Sequence, residues 1–159
     1  TFNPDDIYEM AVEIEKNANK FYNDAAEKAS EDKTKKMFVD FADMEKGHAE
    51  TFEQMRKQLS DEEKESDTFD PQGEGAMYLQ SMAEAHGWEG KKNLSTELTG
   101  NESMDEVVRI ALNAEKNSIA FYLGLRDMVP GKNGRDRINE IIKEEMDHVK
   151  SLNNILVNL

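Results

Sequence analysis

Two tetrapeptides carry the residue types of metal chemistry: Glu45-Lys46-Gly47-His48 and Glu145-Met146-Asp147-His148, one hundred positions apart. Glu and His three apart on a helix point in nearly the same direction, so each motif offers a carboxylate and an imidazole to one centre. A second pair keeps the same offset. Glu15-Lys16-Asn17 with Phe21-Tyr22 is matched by Glu115-Lys116-Asn117 with Phe121-Tyr122. The chain is thus two copies of one unit, each offering a lone Glu followed by Glu-x-x-His. One Glu-x-x-His in a Glu-rich chain arises easily by chance, whereas two at corresponding places of a repeat carry weight.

The elements that must position these residues are helices. Ile7, Ala11, Ile14, Ala18, Phe21 and Ala25 alternate steps of four and three, a heptad seam that predicts a helix over about 4–29. Asn3 caps it, Pro4 suits its first turn, and Asp5 and Asp6 face the positive end of its dipole. Ser30-Glu31-Asp32 is expected to turn and to cap the next helix, over about 33–59. That helix carries the stripe Phe38, Phe41, Glu45, His48, Phe52, Met55, Leu59. Ser103-Met104-Asp105-Glu106 has capping-box form and opens a helix over about 104–129, with the seam Val107, Ala111, Ala114, Ser118, Phe121, Leu125. Pro130-Gly131 ends it and Gly134 marks a tight turn. The last helix, about 135–158, repeats the stripe as Ile138, Ile141, Glu145, His148, Leu152, Ile155, Leu159.

Residues 60–103 differ in character. Acids cluster at Asp61-Glu62-Glu63, Pro71, Gly73 and Gly75 interrupt any long helix, and only Ala76–Ala83 promises a short amphipathic one. This segment is expected to return the chain to the other end of a bundle. The fold class predicted is all-α: one domain over 1–159, a four-helix bundle of two repeated hairpins joined by a long crossover with a short helix. Helices of about 26 residues would span about 39 Å.

Composition narrows the function. Apolar residues make up 37% and charged residues 34% of 159, enough to bury a core. A net charge of -14 argues against nucleic acid and anionic membranes as partners, because phosphate recognition needs a basic face. No cysteine occurs, which excludes disulfides, thiolate zinc sites and iron–sulfur clusters within these residues. No apolar run approaches membrane-spanning length and Thr1-Phe2-Asn3-Pro4 does not resemble a signal peptide, so a cytoplasmic location is expected.

The chemical argument rests on burial. Glu45, His48, Glu145 and His148 sit in the middle of apolar stripes, where unpartnered ionisable groups cost several kcal/mol, roughly. Glu9 and Glu13 compete with Glu15, but their counterparts are Arg109 and Asn113, so the repeat selects Glu15 and Glu115. Carboxylate oxygen and imidazole nitrogen suit iron or manganese. The competing reading is a buried hydrogen-bonded network without metal, but four carboxylates against two imidazoles would repel one another. Tyr22 and Tyr122 lie seven residues after Glu15 and Glu115 on the same face. Their phenols either hydrogen-bond a ligating carboxylate or belong to core aromatics satisfied elsewhere. Asp147 is expected to be solvated, since Gly47 occupies the matching place. His86 lacks a Glu-x-x partner and is expected to be structural or exposed.

Glu-Lys-x-x-x-x-Phe-Tyr on two helices with Glu-x-x-His on the other two resembles the rubrerythrin-like branch of the ferritin-like superfamily, over roughly residues 5–59 and 104–159. The resemblance implies a dinuclear carboxylate-bridged site of two iron ions, with Mn/Fe or another divalent pair as alternatives. It carries over to Glu15, Glu45, His48, Glu115, Glu145 and His148, with Glu45 and Glu145 bridging. It also implies reaction with peroxide or dioxygen, and a homodimer. Two departures stand out: rubrerythrins add a Cys-rich iron domain, and they carry an extra Glu where this chain has Ser118. Three functions follow as expectations. One is a di-iron oxidoreductase fed by a separate electron-donor protein, one an iron-handling protein of ferroxidase type, and one a scaffold with structural metal.

Overall fold

The structure, a computed structural model, describes residues 3–59, 61, 74–85, 98–129 and 131–159. Among them it is all-helical: α1 (Pro4–Lys28), α2 (Asp32–Lys57), α3 (Glu74–Ala85), α4 (Met104–Met128) and α5 (Lys132–Val157). Glu62, Glu63, Pro71, Gly73, His86 and Pro130, on which expectations were placed, lie outside the described residues. No described helix is long and apolar enough to cross a membrane.

The caps follow local chemistry. Asn3 Oδ1 accepts from the Asp6 amide at 2.8 Å while the Asn3 amide donates back to Asp6 Oδ2 at 3.2 Å, a reciprocal pair that opens α1. Ser103 Oγ accepts from the Glu106 amide at 3.2 Å at the start of α4. Two expectations require correction. Glu31 occupies the cap position of α2 but makes no side-chain cap hydrogen bond, so that start depends on packing. Gly134 is not a turn residue. Gly131 adopts φ +82° just before the helix, so α5 begins at Lys132 and Gly134 lies inside its first turn.

The long helices pair as hairpins, α1 with α2 and α4 with α5, and α1 packs on α4 across the bundle. Arg56 clamps the open end of the first hairpin by donating to both Asp5 oxygens, at 2.9 and 3.1 Å. The core falls into two apolar clusters. One contains Ile7, Met10, Phe52, Leu59, Leu79, Phe121, Leu125, Ile138 and Ile141. The other contains Phe21, Ala25, Phe38, Phe41, Val107, Ala111 and Leu152. In each long helix one stretch feeds the first cluster and another the second. Between them lies the same polar layer: Glu15, Glu45 and His48, Glu115, or Glu145 and His148. The order of the stretches makes α1 parallel to α5 and α2 parallel to α4. The chain must therefore travel the bundle's length between α2 and α4, and it leaves Leu59 and Leu79 in one cluster and Leu98 against the other.

Helix α3 docks on α4 through a notch. The Tyr78 hydroxyl donates to the Ala120 carbonyl at 2.7 Å, and its ring lies where a side chain at Gly124 would be. A Cβ at that position would approach two ring carbons of Tyr78 to 2.6 Å. The matching residue of the first half is Asp24, where no corresponding helix docks among the described residues. Gly124→Ala is therefore expected to destabilise the protein by about 1–3 kcal/mol by overpacking, despite the better helix propensity of alanine. In a Tyr78→Ala background the same substitution should be neutral or stabilising. Equal effects in both backgrounds, read by chemical denaturation, would contradict the notch.

Candidate metal centre

Six ionisable side chains meet in the layer between the apolar clusters, and all are buried: Glu15, Glu45, His48, Glu115, Glu145 and His148. Each comes from the core-facing line of its helix, which is why the heptad stripe that buries Phe and Ile at either side also buries them. Their ligand-type atoms form two groups. In one, atoms of Glu15, Glu45, His48 and Glu145 all lie within 4.8 Å of one another; in the other, atoms of Glu45, Glu115, Glu145 and His148 do so. Glu45 and Glu145 belong to both. The competitor Glu13 is exposed and Glu9 lies against Arg56 at 3.7 Å, outside the layer.

Both imidazoles turn Nδ1 inward. His48 Nδ1 lies 2.8 Å from Glu145 and 3.5 Å from Glu15. His148 Nδ1 lies 3.1 Å from Glu45 and 3.3 Å from Glu115. The outward Nε2 atoms meet different residues: Glu144 at 2.5 Å from His48, and the Met44 sulfur at 3.1 Å from His148. Phe41 stacks on the His148 ring with centroids 4.0 Å apart. Glu144 and Met44 escaped the sequence reading. Spacing offered no signal for either, because each touches the histidine of the other hairpin, 96 and 104 positions away in sequence.

The two tyrosines cross between hairpins. The Tyr22 hydroxyl donates to Glu115 and the Tyr122 hydroxyl to Glu15, both at 2.5 Å. Each phenol thus grips a carboxylate of the other half. Ser118, in contrast, turns its hydroxyl to the Ala114 carbonyl of its own helix at 2.9 Å and does not enter the layer. Asp147 is exposed, as expected.

The electrostatics of this layer are unfavourable without a cation. Two like charges 4 Å apart repel by about 4 kcal/mol at an effective dielectric of 20. Burial, then the neighbouring carboxylates, push Glu15, Glu45 and Glu115 upward, so that their neutral forms are favoured. Burial pushes Glu145 upward too, but hydrogen bonds with Glu115, His148 and His48 outweigh it and hold this carboxyl below the ordinary carboxylate value. Burial opposes the cationic form of His48, yet hydrogen bonds to Glu145 and Glu15 push it up to about 11; the same balance pushes His148 up to about 9. Burial and then the nearest Glu raise both phenols well above the ordinary tyrosine value, so they act as donors.

The donor set fits a pair of divalent cations. One buried oxygen on each of the four carboxylates, Glu15 Oε2, Glu45 Oε1, Glu115 Oε2 and Glu145 Oε2, makes no hydrogen bond. Four such orphans in one layer are costly unless something binds them. Two divalent ions would match four carboxylates in charge and let both imidazoles be neutral.

This geometry predicts opposite pH dependences with and without metal. In the metal-free protein the raised histidines contribute stability in full below their ordinary value of 6.5, and lose it as pH climbs through about 9 and about 11. The raised Glu residues lose theirs in the same direction. Metal needs the deprotonated forms of all six. The melting temperature of metal-free protein should therefore fall between pH 6 and pH 10, at about 2–4 °C per kcal/mol lost. The increment conferred by added manganese(II) should grow over the same interval. Parallel pH profiles by scanning calorimetry would contradict the assignment.

Comparison with known proteins agrees with this arrangement. A search of curated proteins finds no match. The chain is similar in fold to a crystal structure from Thermotoga maritima described as a ferritin-like diiron-carboxylate protein. The TM-score is 0.73, with 24% identity over 98% of this chain and 95% of that one. The bundle is thus ferritin-like. The family model described as Rubrerythrin matches residues 6–156, nearly the whole chain and all six residues of the buried layer. The chain belongs to the rubrerythrin family.

Proposed function

We propose that the layer binds two iron ions and that the protein is a non-haem di-iron oxidoreductase acting on peroxide or dioxygen. The observation that carries this reading is the sharing of Glu45 and Glu145 by both ligand groups. Two cations held by these common carboxylates would be neighbours, with Glu15 and His48 completing the ligands of one position and Glu115 and His148 those of the other. Bound ferrous iron supplies one electron per ion, so a pair meets the two-electron demand of reducing hydrogen peroxide, with two protons, to two waters.

The chain's own residues do the rest. Tyr22 and Tyr122 each hold one oxygen of Glu115 and Glu15, leaving the other oxygen without a hydrogen bond and available to a cation. Because both phenols stay protonated, they keep this grip across the working pH range. Phe21, Phe38, Phe41, Phe52 and Phe121 are buried around the layer and limit access of water to it. Electrons to restore the ferrous state come from a donor outside these 159 residues, whose docking an acidic surface would govern.

A second reading, iron handling of ferroxidase type without efficient turnover, draws on Ser118. Its hydroxyl is committed to its own helix, so the layer has no additional carboxylate there.

Anaerobic titration of metal-free protein should end at two ferrous ions per chain. Peroxide or oxygen should then produce an absorption change that a reductant reverses over repeated cycles. Uptake far beyond two ions, with mineral formation, would favour iron handling, and a zinc pair indifferent to both oxidants would sink the redox reading. Glu45→Ala or Glu145→Ala should impair both positions, whereas Glu15→Ala or Glu115→Ala should impair one. Stripping the metal should also cost stability, about 2.7 kcal/mol for free metal at one hundred times its dissociation constant.

A further inference from the structure

We infer that the two metal positions are unequal, and that Glu144 makes the position served by His48 the tighter of the two. The inference rests on the di-metal reading above but not on which metal is native or whether it turns over. It starts from a breach of the internal repeat. The six ligand-type residues obey the offset of one hundred without exception, but the residues behind the two histidines do not.

Behind His48 stands a carboxylate. Glu144 Oε2 lies 2.5 Å from Nε2, on the side opposite Nδ1, which faces Glu145 and Glu15. A carboxylate there requires Nε2 to carry the hydrogen and so leaves the Nδ1 lone pair for a cation. It also pushes electron density into the ring, making that nitrogen a better donor. Behind His148, at the same helical position, stands the thioether of Met44, 3.1 Å from Nε2. A thioether is a weak, uncharged acceptor. It neither fixes the tautomer firmly nor enriches the ring. The faces of the rings differ as well. Phe41 stacks on His148 at 4.0 Å, while its counterpart, Ile141, has no aromatic ring.

Glu144 and Met44 are both partly exposed, 38% for the Glu144 side chain and 40% for Met44. Neither residue is held in place by a closed core, so both tolerate exchange. Glu144 is thus a positioning residue: it acts through His48 and touches no cation itself. Loading should proceed in order, first into Glu15, Glu45, His48 and Glu145, then into Glu115 and His148 with the same shared carboxylates.

Cobalt(II) titration of metal-free full-length chain tests this, followed by calorimetry and by the visible absorption of the bound ion. Wild-type protein should show two resolvable steps. Glu144→Ala should weaken the tighter one by about 10–100-fold and leave the other nearly unchanged. That step should be the one Glu15→Ala abolishes. Glu144→Gln, which keeps an acceptor oxygen without charge, should fall between. Met44→Glu should tighten the weaker step and bring the two together. Circular dichroism of each variant separates lost binding from lost fold. Should Glu144→Ala leave both steps alone or weaken both alike, or should Met44→Glu fail to strengthen either, the inference is overturned while the di-metal reading stands. Failure of wild-type protein to bind cobalt at all overturns both.

Discussion

Everything in this bundle is organised by the cost of placing four carboxylates and two imidazoles in one dry layer. Hydrophobic contacts on either side make the layer inaccessible, and that same inaccessibility denies its charges the solvent that would otherwise screen them. Two protonated histidines offset only half of four ionised carboxylates. The remaining charge is relieved either by protonation, which is the direction in which Glu15, Glu45 and Glu115 are displaced, or by cations. A stable core and a strained polar centre are therefore one arrangement. Phe21 and Phe38 are buried on one side of the layer that holds Glu15, Glu45 and Glu145, and Phe52 on the other.

Much of this was legible in the sequence because helical periodicity and metal-ligand spacing are both short-range. The stripe Phe38, Phe41, Glu45, His48, Phe52 states which residues face inward before anything is known of what they face, and the repeat removes Glu9 and Glu13 as rivals of Glu15. The choice between a hydrogen-bonded tyrosine and a merely packed one was not available, since Tyr22 finds its partner 93 residues away. Glu144 was illegible for a related reason. In a chain with 34 acidic residues, one more Glu beside a motif is unremarkable until a ring nitrogen is found 2.5 Å from it. The turn before α5 was misplaced because two glycines, Gly131 and Gly134, offered the same freedom and only the backbone reveals which used it.

The crossover illustrates how topology constrains composition. Parallel placement of α2 and α4 forces a connection as long as the bundle, and a connection of that length needs an anchor. Tyr78 and Leu79 provide it, and Gly124 provides the space. A helix-interior glycine that weakens α4 locally is thereby explained by contact with another element.

The crossed tyrosines have a consequence for how such a centre can arise. Tyr22 reaches Glu115 and Tyr122 reaches Glu15, so the hairpins meet as the two faces of an isologous interface do, each presenting to the other what it receives. Two separate copies of a single hairpin, related by a two-fold axis, could assemble the same layer. Symmetry would then oblige both histidines to have identical surroundings. Joining the copies into one polypeptide lifts that obligation, and Met44 and Glu144 are where this molecule departs from its own symmetry.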